Sequence, residues 1–250
     1  NYVKTESCNE KIRQLNENFS FSRCSEFLDK ESNLDESSIL VTFDDGAKEL
    51  AFVASEVLAR YDVKSTFFIC SSPYLDNKVL KVHKIQILMR RLGYENFYKK
   101  FYTALKEKNI LKLKRESIEY ADGFNFYRYD TEETKKFKLD LNYTIPYIYS
   151  DDIINKIFDK EFNNESEKQL VKKIYLSKDE IKKLIDDGHE IGSHSHDHKV
   201  LPRLSYQEQK EDLEKSFDFI NSLTGNKRHC VAYPYGFNNQ QTEKILEEFN

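Results

Sequence analysis

The chain has 250 residues, of which 39% are hydrophobic and 33% charged, with a formal net charge of −4. That length buries one substantial core, the apolar content excludes a disordered polymer, and the charge density excludes a membrane-embedded protein. The small net charge gives no global electrostatic reason to bind nucleic acid or anionic lipid, although Lys and Arg are dense around residues 99 to 115.

No apolar run is long enough to span a bilayer, and the first thirty residues lack the basic and apolar regions of a secretory signal. Cys8, Cys24, Cys70 and Cys230 form no CxxC pair and are too few for a disulfide scaffold, so a cytoplasmic location is the expectation. The chain begins at Asn1 rather than Met and stops inside a helical pattern, Glu243 to Phe249, as a fragment would.

Residues 1–37 read as an N-terminal extension. Ser38 to Phe43 is an apolar run without alternation, the pattern of a strand buried on both faces, and it ends at Asp44-Asp45-Gly46. From Glu49 to Tyr61, Leu50, Val53, Ala54, Val57 and Leu58 recur at helical spacing, and Ser65 to Cys70 is a second buried strand. Together these predict a βαβ unit.

Between residues 75 and 174 the rhythm is lost. Phe97, Phe101, Ala104 and Leu105 suggest one helix and Ile153, Ile154, Ile157 and Phe158 another, while Glu119 to Tyr149 shows no clear period. This stretch reads as an insertion of mostly helical structure. Its Tyr94, Phe97, Tyr98, Phe101 and Tyr102 suit a packed core, with stacking on sugar rings as the functional alternative.

The α/β pattern then returns. Ser177 and Glu180 form a capping signature ahead of Ile181, Leu184 and Ile185, and Gly188 closes that helix. His189 to Gly192 reads as a short strand, Tyr206 to Leu223 as a helix stopped by Gly225, and Cys230 to Tyr233 as the start of another strand. Strands alternating with helices predict a parallel sheet, open or closed into a barrel, with chemistry at the carboxyl ends of the strands. Only 7 glycines are present, and Gly46, Gly188, Gly192 and Gly236 all flank the sequences that carry chemistry. Those positions are expected to need backbone geometry that Gly supplies.

Three constellations stand at such ends. Asp44-Asp45-Gly46 presents adjacent carboxylates, which can divide their tasks only if the glycine bends the chain; it is also ordinary turn chemistry. Gly192 to His198 holds three histidines, and on one turn of helix His194 and His198 would share a face, the spacing of paired metal ligands. His196 is a conceivable substitute for either, and a solvated polar loop is the bland alternative. Val231 to Gly236 ends in a Pro and Gly turn able to aim a backbone N–H into a site. An Asp with two His leaves a coordination position open for water, and a second Asp beside it suits a general base.

Taken together these segments resemble the polysaccharide deacetylases, the NodB-like enzymes of carbohydrate esterase family four. Thr42 to Gly46 is similar to their TFDDG motif, Gly192 to His198 to their G-[NS]-H-[ST]-x-x-H motif, and Tyr233 to Gly236 to the YPYG form of their third. Lys64 to Ile69 and Leu184 to Ile191 resemble the segments leading into them. The resemblance covers roughly 38 to 70 and 175 to 237 and implies a distorted, incomplete (β/α) barrel of NodB-homology type. The division it implies is a catalytic domain at 38–74 and 175–250, interrupted by the insertion at 75–174.

It further implies Asp44 as catalytic base, Asp45, His194 and His198 as metal ligands, and the Tyr235 backbone N–H as oxyanion donor. Zinc would be the usual metal, with cobalt or nickel as substitutes, and the substrate an N-acetylated glycan. Two departures stand out. Ala232 occupies the place of an Arg that orients the base in much of the family, and the later elements that supply the general acid are absent, so the protein is expected to continue past Asn250. A catalytically impaired carbohydrate-binding module and an amidohydrolase acting on a small amide are the competing classes.

Overall fold

The parallel strands that carry the motifs lie side by side in one sheet, seen in a computed structural model that describes residues 5–28, 37–110, 130–163, 165–226 and 230–249. The chain divides into two compact units, Asn1–Lys78 with Lys168–Asn250, and Val79–Glu167.

The first unit opens with α1 (Thr5–Asn16), β1 (Ser20–Ser22) and α2 (Cys24–Leu28). The expected strand from Ser38 to Phe43 divides at Val41 into β2 (Ser38–Leu40), which pairs with β1, and β3 (Thr42–Phe43), which pairs with the next strand. Then follow α3 (Glu49–Glu56), a 3-10 turn over Leu58–Tyr61, β4 (Thr66–Ile69) and α4 (Ser72–Leu75). All four residues of β4 are buried, as its unbroken apolar run requires.

The second unit contains α5 (Lys81–Leu92), α6 (Tyr94–Glu107), α7 (Glu132–Leu139) and α8 (Tyr147–Glu161). Phe97, Phe101 and Phe137 are fully buried in it. The rings of Phe97 and Tyr98 stand 5.3 Å from that of Phe137, and those of Tyr94, Phe101 and Tyr102 lie 5.7 to 5.8 Å away. The aromatic set is thus core material around one phenylalanine, with Tyr98 the member that keeps a face exposed. Residues 111–129, which include the first part of the aperiodic stretch from Glu119 to Tyr149, lie outside the described ones. The remainder is helical, as α7 followed by a buried π turn at Asp140–Thr144.

The first unit resumes at Lys168, inside α9 (Glu167–Ile174), and continues through α10 (Lys178–Asp186), β5 (Glu190–Ser193), α11 (Tyr206–Thr224) and α12 (Gln240–Glu248). Ser177 and Glu180 cap α10 reciprocally, and Ile181 and Leu184 turn inward to join Phe67, Ile69, Ile191, Phe219 and Ile220 in the main core. The sheet order is β3-β4-β5, all parallel. Cys230 to Tyr233 does not form the full strand expected of it. It contributes one parallel bridge, Ser193 to Val231, before Pro234 removes a ladder donor and the chain turns.

Candidate metal centre

Asp45 follows the carboxyl end of β3 in left-handed backbone, with φ of 67°, and Gly46 continues it at 70°. The bend is therefore made by the aspartate and the glycine together. A Cβ at Gly46 would lie 3.1 Å from Ile69 Cγ2, so the turn sits tightly on β4.

His194 and His198 do not meet through helical spacing. Residues 194 to 200 form an irregular loop after β5, and Ser195 and His198 adopt left-handed backbone, with φ of 65° and 55°. The loop is fastened from inside: Ser195 Oγ accepts the His198 N–H at 3.1 Å, and Ser193 Oγ accepts the Ser195 N–H at 3.2 Å. Its other side rests on α4, where the Ser72 N–H donates to the His196 carbonyl at 3.0 Å. Conformations this costly for non-glycine residues persist only where surrounding bonds over-determine them, and Asp45, Ser195, His198 and Tyr235 carry them together at this site.

The three donors converge. Nε2 of His198 lies 3.2 Å and Nε2 of His194 lies 3.5 Å from the same oxygen, Oδ1 of Asp45. Bonds of roughly 2.0 to 2.1 Å at tetrahedral angles set zinc donors roughly 3.3 Å apart, so the separations match a shared ion. The chemistry of the donors agrees. His194 Nδ1 lies 2.8 Å from the Ala232 carbonyl, which can only accept, so Nδ1 bears the proton and the neutral ring turns a lone pair toward Asp45. Two acceptors facing each other repel unless a cation or proton lies between them. Burial, reinforced by the neighbouring His198, lowers the His194 pKa and disfavours the proton. The residues present fit a divalent cation.

His196 turns elsewhere: its Nδ1 meets Ser71 Oγ at 2.7 Å and its Nε2 meets Asp76 at 3.1 Å. It is not a member of the Asp45 cluster. Asp76, His196 and Asp197 also cluster, but Lys78 and Lys199 stand beside the two carboxylates and offset their charge.

Asp44 leaves much of its surface open to solvent. Partial burial of its carboxyl raises its pKa, with Asp45 pushing the same way and His194 and His198 pulling it down. The Tyr235 ring packs edge-on against His198, centroids 4.7 Å apart, which brings the Pro234–Gly236 turn beside the two imidazoles. Ala232 cannot orient a carboxylate through its side chain, yet its backbone carbonyl fixes His194. Sequence reasoning missed that role, since a backbone acceptor leaves no mark on residue type.

Comparison with known proteins adds the following. The sequence profile described as polysaccharide deacetylase matches residues 31–92 and 153–250. Peptidoglycan-N-acetylmuramic acid deacetylase PdaC of Bacillus subtilis (strain 168) is 29% identical over 65 residues, 26% of this chain and 14% of that protein. A second curated relative from the same strain is 27% identical over 81 residues, 29% of its own length, so the chain aligns with well under half of either. Among solved structures, the Streptococcus pyogenes deacetylase PplD in complex with acetate superposes with a TM-score of 0.55 at 15% identity, over 99% of this chain and 70% of that one. IcaB from Ammonifex degensii gives 0.55 at 15% identity, over 99% and 73%. At such identities the structures show a common fold, while the profile match covers more than half of the sequence. The chain belongs to the polysaccharide deacetylase family.

Proposed function

We propose that the chain is a metal-dependent deacetylase that hydrolyses N-acetyl groups of an amino-sugar-containing polysaccharide or glycan precursor. The observation that carries the reading is the approach of two imidazole Nε2 atoms to one oxygen of Asp45, beside a second aspartate with a raised pKa. A divalent cation bound there, zinc in the first instance with cobalt or nickel as substitutes, would act as Lewis acid toward water and the acetamide carbonyl.

The remaining work falls to the chain's own groups. Asp44, next to Asp45 in the chain, takes the proton of the attacking water, and partial burial brings its basicity closer to that task. The Tyr235 backbone N–H, in the turn packed on His198, donates to the oxygen that gains charge as the carbonyl carbon becomes tetrahedral. The Ala232 carbonyl holds His194 in the tautomer whose Nε2 faces Asp45. The parallel β3-β4-β5 sheet is read as an arc of a distorted barrel, with these groups at its carboxyl-terminal rim.

The test is acetate release from N-acetylated oligosaccharides by the zinc-loaded chain and by Asp44→Asn, with metal content measured in both. Loss of acetate in the variant with metal retained supports the proposal. Bound metal without Asp44-dependent acetate release rejects it.

A further inference from the structure

Lys99, Lys100 and Lys108, the first lysines of the basic stretch that begins at residue 99, line a groove in the second unit. Its walls are α6 and α8, which run antiparallel: Lys100 pairs with Glu161 at 3.4 Å and Lys108 with Asp152 at 2.9 Å. The cavity between them is about 510 Å³, inside the range of roughly 300 to 1,000 Å³ usual for small-molecule sites. Ala104 makes room for it. On the ridge Lys100, Ala104, Lys108 that faces α8, its methyl group leaves open the space a larger side chain would take. Ala104, Ile153 and Ile157 supply an apolar floor, and the exposed Lys99, Lys156 and Lys160 stand at the rim.

The chain as a whole carries a net charge of −4, yet five lysines against two glutamates line this groove. The excess is confined to one end. Where α6 finishes, Lys108 and Lys156 share Asp152 at 2.9 and 3.0 Å, and Glu107 precedes Lys108, so the charges balance. At the other end Lys100 and Arg91 share Glu161 at 3.4 and 3.7 Å, while Lys99 and Lys160 form no ion pair among the described residues.

We propose that the groove binds a single-chain alkyl phosphate, with its head at Lys99 and Lys160 and its chain laid over Ala104, Ile157 and Ile153. A phosphate monoester carries a charge of about −1.5 to −2 at neutral pH, which matches two unpaired ammonium groups better than a carboxylate does. The rise of the helix from Lys100 to Lys108 is about 12 Å, which sets the length of chain the floor can cover. The recessed floor decides between occupants. A flat anionic bilayer would meet the rim lysines and miss the floor, and an acidic polymer with no apolar body would leave it wet.

Calorimetric titration of the full chain with dodecyl phosphate, kept below its micelle concentration, tests this. One saturable site is expected, and Lys99→Glu combined with Lys160→Glu should weaken it by about 10-fold, as loss of two exposed charge contacts would. Both positions are exposed, so the double variant should melt as the wild type does. Ala104→Leu, which fills the floor, should weaken binding with the head contacts intact; if it disturbs the packing of α6 on α8, the double variant still decides. Inorganic phosphate, which has no chain, and dodecyl maltoside, which has no charge, should each bind more weakly than dodecyl phosphate. Absence of a saturable site, undiminished affinity in the double variant, or either control binding as tightly overturns the proposal. Capture by phosphatidylglycerol vesicles, or self-association removed by the double variant, in place of dodecyl phosphate binding would assign the groove to a membrane surface or to a second copy and overturns it as well.

Discussion

Asp212 of α11 accepts the His196 N–H at 2.8 Å on Oδ1, and its other oxygen takes the Asp197 N–H at 3.1 Å. One buried carboxylate thus fixes the middle of the loop whose two ends present His194 and His198. Ser216, one turn further along α11, fastens the loop's start through Ser193 at 2.7 Å. Burial raises the pKa of Asp212 and the two N–H donors oppose it, so its charge is held chiefly by loop backbone. Because the loop carries strained residues at 195 and 198, removing the clamp should let it relax away from the converged geometry. Asp212→Ala is expected to weaken zinc affinity by about 10 to 100-fold, as loss of outer support does at such sites. Asp212→Asn, which keeps one acceptor, should fall between. Competition titration with a chelating dye measures this, and an unchanged affinity in Asp212→Ala would refute the clamp.

Metal should also stabilise the fold. If the cation binds only the native state, zinc at a hundred times its Kd adds about 2.7 kcal/mol. Asp45→Asn separates the ligand from the backbone it occupies, because Asn tolerates left-handed φ nearly as well as Asp. The variant is expected to unfold near the wild-type midpoint without metal, and to lose most of the upward shift when zinc is added. Thermal melts with and without chelator would show it. A full zinc shift in the variant would remove Asp45 from the ligand set.

These expectations show which parts of the molecule residue type discloses. The aspartates and histidines at the ends of apolar runs marked a candidate metal site because carboxylate and imidazole advertise their chemistry, while the choice of Asp45, His194 and His198 came from the family resemblance. How they meet was not legible: helical spacing suggested one shared face, whereas left-handed backbone at Ser195 and His198 does the work. Asp212 was equally hidden, since its partners are backbone N–H groups 15 and 16 residues earlier. The buried strand β4 was legible from its unbroken apolar run. β1, with the sequence Ser-Phe-Ser, had too little apolar content to announce its pairing with β2.

Gly192 illustrates a glycine chosen for space rather than for φ. A Cβ there would fall 2.6 Å from the Phe68 ring and 2.9 Å from the Cys230 carbonyl oxygen, which already accepts the Ser193 N–H. Gly192→Ala must push either a core ring or the chain that leads to Ala232. The expected cost is about 1 to 3 kcal/mol, the usual range for overpacking. Urea denaturation of the metal-free protein measures it free of ligand effects. A loss near zero would mean that the Phe68 ring swings aside at no cost.

His189 supplies a pH dependence that is independent of the metal. Its Nδ1 accepts the Ser65 N–H at 3.2 Å, and the ring is 7% exposed, edge-on to Phe67. Burial, with Lys64 adding to it, lowers its pKa below the ordinary 6.5, while Asp187 pulls weakly the other way. The unfolded chain therefore binds a proton here more readily than the native state. This contribution to stability is complete above pH 6.5 and is lost as pH falls from 6.5 toward the depressed native value. His189→Asn keeps an acceptor for the Ser65 N–H but cannot be protonated. It is expected to be less stable than wild type near neutrality, because the smaller side chain packs less well against Phe67, and to lose less stability between neutral and mildly acidic pH. Parallel denaturation curves in chelator across that range make the comparison, and equal slopes for the two proteins would show that His189 titrates alike in the folded and unfolded chain.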